Sequence, residues 1–438
     1  MFYYLNFIRT ILAYLKNNRG FLFLFLALIT IPFHHLINSF FIFIFILQTV
    51  FAKKRKKKEK YTFLLMLFYA LMAVSFFWST EKTATINALS TGLPLLIIPL
   101  SFLISAIDYE KYKSKTLEYY SYSIVFLSAF FILKAFNNYI LNRNINVFFF
   151  HNLVSKELNA VHFSVFVSLA FFYFLTKDTK SIKDFLYSFF LYGFLLLLSS
   201  KIIIFTTCVL IVIYFFFYSK SANKMRLKNI IILGMIIASF LFLNVVKERI
   251  VFEFKIKSDS NIGHTVINKK EVGTNIISMK EAWFNEKFNQ TDYFSGSSFR
   301  VYQARLFFEF LKEENIFWTG FGLNASYKKI EKKGIQYNVF QGNETTEGYQ
   351  KKNFHNQYIQ VFAELGVFGF LLLSIMLLYN LKNGIKKKDF IHIAFAILMI
   401  SLFLTESFLW RQRGVIFFTI FYCLFNSKTS TIKAIQKR

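Results

Sequence analysis

The residues of this chain whose types and spacing suit chemistry gather between Ser297 and Gly369. Ser297 and Ser298 are good N-cap types for an amphipathic helix predicted from Phe299 to about Glu313. On a 100° wheel Arg305, Glu309, Lys312 and Glu313 share its polar face, and Arg305 with Glu309 forms an i,i+4 pair expected to be a solvated salt bridge. Arg300 instead projects between Phe307 and Leu311 on the apolar side, with Ala304 rather than a carboxylate at i+4. A guanidinium so placed needs an anionic partner, and a phosphate suits its planar fork. Gly320-Phe321-Gly322 follows, a turn whose glycines let backbone approach a ligand, although most such turns are only turns.

His355 is predicted at a membrane surface where the next apolar segment begins, and an imidazole there can accept a proton from a substrate hydroxyl. Taken alone it would be structural. Asn356, Gln360 and Glu364 follow at spacings of four, which gives one helix face a polar stripe reaching about 12 Å to Glu364. Gly366 and Gly369 permit close helix packing at that depth.

Composition sets where these residues must work. With 55% hydrophobic and 21% aromatic residues over 438 positions, and a mean hydropathy of +0.44, the fold class is all-α integral membrane. The net charge of +28 would suggest nucleic acid in a soluble protein. Here the Lys and Arg cluster between apolar runs, which is the pattern that fixes membrane orientation, so no nucleic-acid partner is expected. Cys208 and Cys423 fall inside apolar spans and are read as packing residues. The 62 Phe against 3 Pro look like genome-wide bias, so no aromatic site is inferred. No cleavable signal is expected at the start, where Met1 to Asn18 reads as an interfacial helix.

Apolar runs predict about 12 transmembrane helices with both termini inside. They are Phe21 to Phe33, Leu36 to Phe51, Tyr61 to Phe77, Leu89 to Ile107, Tyr120 to Tyr139, Val161 to Leu175, Phe185 to Ser199, Ile202 to Tyr218, Ile230 to Val246, Tyr358 to Leu381, Phe390 to Leu409 and Gly414 to Phe425. Basic clusters at Lys53 to Lys60, Lys111 to Lys115, Lys177 to Lys183, Lys220 to Lys228, Lys382 to Lys388 and Lys428 to Arg438 mark the inner loops. The chain thus divides into an N-terminal bundle at 1–246, one large outer loop at 247–357 containing the amphipathic helix and β-prone pieces such as Ile250 to Ile256, and C-terminal helices with a tail at 358–438.

On this topology Lys134, His162, Lys201, Glu406, Arg411 and Arg413 all lie near outer ends of spans. A transporter needs charges along a path through the bilayer, whereas this distribution surrounds a site on one face. Singly, Lys134, His162 and Arg413 are ordinary snorkelling anchors. No metal-ligand spacing is found, so neither a divalent ion nor another cofactor is expected.

At these residues the chain resembles the O-antigen ligase and Wzy-type O-antigen polymerase superfamily of integral membrane glycosyltransferases. The resemblance rests on His355 followed after ten residues by Gly366 in HNQYIQVFAELGVFG, on Arg300 ahead of Gly320 and Gly322, and on Leu198-Ser199-Ser200-Lys201, which looks like the family's Ser-Arg start of a span. Two departures are Lys201 in place of the family's arginine and the absence of a proline near Ile316 and Phe317. The resemblance implies a multi-pass protein of the bacterial inner membrane with its site facing the periplasm. The implied donor is a glycan on undecaprenyl diphosphate, and the acceptor is lipid A core or another glycan, with membrane lipid around both. His355 and Arg300 would be catalytic, Arg300, Lys201 and Arg411 would hold the diphosphate, and Asn356, Gln360, Glu364, Glu406, Gly320, Gly322 and Gly366 would support them. Ligase, polymerase and, in another class, polysaccharide or lipid transporter remain open on the sequence.

Overall fold

Backbone N–H and C=O groups inside a bilayer have no water to bond to, so apolar runs of this length become helices that satisfy themselves. The computed structural model describes residues 19–51, 60–105, 109–155, 157–178, 181–218, 234, 275–344 and 346–427. The first bundle comprises α1 (Arg19–Ile29), α2 (His35–Phe51), α3 (Lys60–Val74), α4 (Lys82–Gly92), α5 (Pro94–Ile104), α6 (Tyr109–Asn142), α7 (Ala160–Thr176), α8 (Ile182–Leu197) and α9 (Lys201–Ile213). The last three helices are α13 (Gln357–Lys387), α14 (Phe390–Phe403) and α15 (Gln412–Asn426). Between the two sets lie β1 (Ile276–Ile277), α10 (Met279–Phe284), β2 (Tyr293–Phe294), α11 (Gly296–Glu313) and α12 (Ser326–Gln336), with β1 and β2 paired in parallel.

Among the described residues, Lys82–Ile104, Tyr109–Asn142, Lys201–Tyr218 and Gln357–Lys387 are long and apolar enough to cross a membrane, and shorter apolar helices accompany them. The expected interfacial helix at Met1 to Asn18, the span Ile230 to Val246, the β-prone Ile250 to Ile256 and the basic clusters at Lys220 to Lys228 and Lys428 to Arg438 lie outside the described residues, as does 53–59 of the first basic loop. α15 runs through the middle of the bundle, buried from Gly414 to Asn426. Its Phe417 and Phe421 pack on Phe166, Tyr120 and Phe395 from three other helices.

Helix ends depart from expectation where tertiary partners cap them. Ser295, not Ser297 or Ser298, is the N-cap of α11, its side chain accepting from the Ser298 amide. The span expected at Leu89 to Ile107 begins at Lys82 instead. The span expected to run to Leu409 stops at Phe403, because the next carbonyls and side chains are held by other elements, as described below.

The joint between loop domain and bundle is a break in α13. Gly366 has φ 65° and ψ −166°, a conformation essentially reserved for glycine. The break removes helix hydrogen bonds, and the segment after α11 replaces them. Phe321 N donates to Ala363 O (2.9 Å), Gly322 N to Glu364 O (3.0 Å) and Val367 N to Phe317 O (2.8 Å). A Cβ on Gly366 would meet the Trp318 carbonyl oxygen at 2.1 Å, and one on Gly320, also at positive φ, would meet the Glu364 carbonyl carbon at 2.3 Å. The other side of this segment is gripped by the α3–α4 connection: Thr80 N donates to Phe321 O (3.0 Å), and Thr85 Oγ1 to Leu323 O (2.7 Å). Gly322 is held against Ser79 there.

Gly366 therefore serves a backbone break as well as close packing, and the polar stripe of Asn356, Gln360 and Glu364 belongs to the part of α13 ahead of it. Ala363 joins a second apolar core with Phe294, Tyr302, Leu306, Phe310 and Phe321. From Val367 onward the helix keeps roughly 20 residues, about 30 Å, which matches a hydrocarbon core.

Gly366→Ala is expected to lower stability by about 2 kcal/mol or more, read as a fall in unfolding temperature in detergent. Gly193→Ala in α8, where nothing lies within 4 Å of the new Cβ, should leave that temperature unchanged or slightly raised.

Candidate functional site

The eight residues from Leu404 to Arg411, between α14 and α15, are shaped by side chains from the start of α13. Asn356 Nδ2 donates to Leu404 O (3.1 Å), and Gln357 Oε1 accepts from Leu409 N (2.7 Å). Arg300, from the first turn of α11, closes on the same loop. Its Nε and Nη2 donate to Thr405 O (3.1 and 2.9 Å), its Nη2 also to Glu406 Oε1 (3.3 Å), and its Nη1 to Gly296 O (2.8 Å). The other carboxylate oxygen, Glu406 Oε2, lies 3.5 Å from His355 Nδ1. Arg300 and His355, 55 residues apart in sequence, thus meet on one carboxylate in the turn that follows α14.

The Glu406 side chain is 11% exposed, against 34% for Arg300 and 29% for His355. Burial pushes its carboxyl up, but the hydrogen bond and charge of His355, with the charges of His162 and Arg300, outweigh this and hold it below the ordinary glutamate range. His355 has φ 47°, a left-handed conformation uncommon for a non-glycine residue. Its amide donates to Asn353 Oδ1 (2.9 Å), and Asn353 in turn receives support through Tyr327, to whose hydroxyl its Nδ2 donates (3.2 Å). The imidazole packs edge-on against Phe299 (5.8 Å). With Nδ1 facing the carboxylate, Nε2 carries no hydrogen bond among the described residues, so the neutral ring offers an acceptor there.

The anionic partner expected for Arg300 is supplied by the protein itself. Four of its five N–H groups are used on Thr405, Gly296 and Glu406, and one N–H on Nη1 is left for a ligand. Arg305 and Glu309 also differ from expectation. Their 2.8 Å pair is largely enclosed, with the guanidinium donating to Asn285 O (2.6 Å) and lying over the Tyr337 ring, so it braces the loop domain instead of facing solvent.

Arg411 is the exposed N-cap residue of α15, and its guanidinium makes no hydrogen bond or ion pair among the described residues. Arg413 is tied to Glu157 (3.2 Å) and to Phe33 O (2.8 Å) and serves as an anchor. His162 stacks edge-on against Phe408 (4.7 Å), within electrostatic reach of Glu406 and Arg411. Lys201 opens α9 and is exposed. Because Tyr214 and Tyr218, at the far end of that span, pack on Phe390 at the start of α14, Lys201 stands at the same end of the bundle as Phe403 and the loop that follows.

Glu364 is fully buried and accepts from Asn324 N (2.6 Å), Ser326 Oγ (2.6 Å) and the Gln360 amide. Gln360 also donates to Ser326 Oγ (3.0 Å). These two residues of the stripe fasten the Gly320 to Ser326 segment onto α13, which places Gly320, Gly322 and Gly366 in the scaffold behind the site. Sequence reasoning missed Glu406 as the meeting point of Arg300 and His355, and missed Thr405, Asn353 and Tyr327 altogether. The available signal was an acid in a short turn that also carries Arg411, with Arg413 just inside the next helix. Among the described residues, no group of three His, Cys, Asp or Glu is arranged to hold a metal ion.

Long apolar helices with a compact domain inserted between them define a multi-pass membrane protein, with a basic, histidine-bearing cluster at the junction. Residues 186–374 match the family model described as O-antigen ligase, so that stretch of the chain is similar to the O-antigen ligase and Wzy superfamily. The matched stretch runs from α8 into α13 and contains Lys201, Arg300, His355 and Gly366, while Glu406 and Arg411 lie beyond it. No curated protein matches the chain.

Because Glu406 titrates below its ordinary value in the folded protein, its contribution to stability is complete above pH 4.5 and is lost as pH falls through the lowered value. Unfolding temperature measured against pH should show an acid-side decline that Glu406→Gln removes, with the variant less stable than the parent at neutral pH.

Proposed function

We propose that this chain is an O-antigen ligase-like glycosyltransferase that moves a glycan from undecaprenyl diphosphate to an acceptor hydroxyl at the periplasmic face of the inner membrane. The observation that carries the proposal is the carboxylate of Glu406 bonded to Arg300 on one oxygen and facing His355 Nδ1 with the other. A carboxylate behind an imidazole fixes its tautomer and stabilises the imidazolium that forms when Nε2 takes a proton. The acceptor hydroxyl gives its proton to Nε2 as its oxygen bonds to the anomeric carbon of the donor sugar. The bond from that carbon to the diphosphate oxygen breaks, and undecaprenyl diphosphate leaves with the electron pair. Its developing charge falls to Arg411, Lys201 and the remaining Arg300 N–H, in a setting where cations are already in place.

Several features support this proposal over a transporter. Arg300, His355, Glu406, Arg411 and Lys201 stand at one end of the bundle, and His355 and Arg300 each keep an exposed edge beside an enclosed carboxylate. The acceptor is proposed to be lipid A core or another surface glycoconjugate. The second reading within the same chemistry is a Wzy-type polymerase, which uses the same donor and the same residues on a different acceptor. Unattached long chains in a deletion strain would mark a lost ligase, and single capped repeats a lost polymerase.

His355→Ala should reduce glycan transfer by about 10² to 10⁴, and Arg411→Ala by about 10 or more, each at wild-type membrane abundance. Surface-glycan display and transfer in reconstituted membranes measure both. Normal display in stably expressed His355→Ala and Arg300→Ala chains would remove the assignment.

A further inference from the structure

The loop domain carries a line of exposed aromatic side chains that its own fold does not need. Trp283 (37% exposed), Phe284 (69%), Phe308 (50%), Phe317 (46%) and Trp318 (58%) stand on three separate segments, α10, α11 and the turn before Gly320. They are linked through ring contacts. Trp283 meets Phe308 at 6.0 Å, Phe308 meets Phe307 at 5.5 Å, Phe307 meets Phe362 at 5.4 Å, and Phe362 meets Phe317 at 5.7 Å. The chain ends where Trp318 packs on Phe368 at 5.8 Å.

Phe368 is the second residue of the span that starts after the break at Gly366, and its exposed apolar face continues through Leu371, Ile375 and Leu378. Nothing among the described residues covers that face, and an apolar face of a spanning helix suits hydrocarbon. On the other flank, Trp78 Nε1 donates to Thr319 O (2.9 Å), and Phe77, 79% exposed in the turn after α3, precedes it in the chain. The aromatic line therefore begins at the lipid-facing surface of the bundle and extends it outward over the loop domain.

We infer that Trp283, Phe284, Phe308, Phe317 and Trp318 seat the loop domain in the interfacial layer of the bilayer, so that membrane lipid is the ligand of this face. Tryptophan favours that depth because its ring is apolar while its N–H still reaches polar headgroups. Exposed cations border the line: Lys312 follows Phe308 by four residues on α11, and Lys280 and Lys287 flank Trp283. They can reach lipid phosphates, and with Glu286 and Glu313 exposed beside Lys287 and Lys312 it is the continuity with the lipid-facing span that favours lipid over a second copy. The seating goes beyond the proposed transfer reaction and stands whether or not that reaction is right. Its consequence is positional, since Arg300 belongs to the same α11 as Phe308, and a helix fixed against lipid fixes the height of its first turn.

The four tryptophans of the chain permit a direct test on the full-length protein. Chains keeping only Trp283 or only Trp318, the other tryptophans changed to Phe, are placed in vesicles of phosphatidylethanolamine and phosphatidylglycerol brominated in the upper acyl chain. Emission from each is expected to fall by about half or more against unbrominated vesicles, with weak quenching by aqueous acrylamide. A tryptophan-free chain carrying Phe308→Trp repeats the reading at a third position should either parent substitution disturb folding. Quenching by acrylamide but not by brominated lipid would place the face in water and overturn the inference. Insensitivity to both, with disulfide crosslinking between copies through Phe308→Cys, would show a second copy there and overturn it equally.

Discussion

A carboxylate withdrawn from water must be paired, and the pairing of Glu406 organises this molecule at its most important point. The cost of enclosing an anion is large enough that its partners cannot be left to chance. Arg300 satisfies one oxygen, and His355 stands opposite the other. These two residues come from the loop domain and from the entrance to α13, while Glu406 comes from the turn between the last two helices. Three parts of the chain that are remote in sequence are thereby held to one point, and the imidazole that results has one nitrogen fixed and the other open.

That arrangement could not persist if the loop domain rocked against the bundle. The break at Gly366 prevents it by exchanging helix hydrogen bonds for bonds to the segment from Phe317 to Gly322, so that α13 serves both bodies. The enclosed Glu364, bonded to Asn324 and Ser326, fastens the next few residues of the same segment. A local backbone exception and a buried acid are thus linked causally to the site: they make its support rigid without themselves reaching a substrate.

Much of this was legible in the sequence, for reasons that also explain what was not. Helices could be placed because a bilayer leaves apolar backbone few alternatives, but their ends depended on caps such as Ser295 and on distant partners of Thr405. Arg300 and His355 could be singled out because each is a costly residue beside apolar sequence. Their shared partner could not, since Glu406 lies 106 residues from Arg300 and only folding brings them together. Gly366 could be recognised as a glycine that allows close approach, whereas its unusual φ and ψ emerge only with the segment that fills the gap. The aromatic line was hidden for a compositional reason: among 62 Phe, no single exposed ring stands out until several align.

The central claim is that Glu406 and His355 act as one unit. A double-mutant cycle on glycan transfer in reconstituted membranes, using Glu406→Gln and His355→Ala singly and together, measures that coupling directly. The account predicts that the double variant is no slower than His355→Ala alone, because the carboxylate has nothing left to orient. Losses that multiply independently would contradict it.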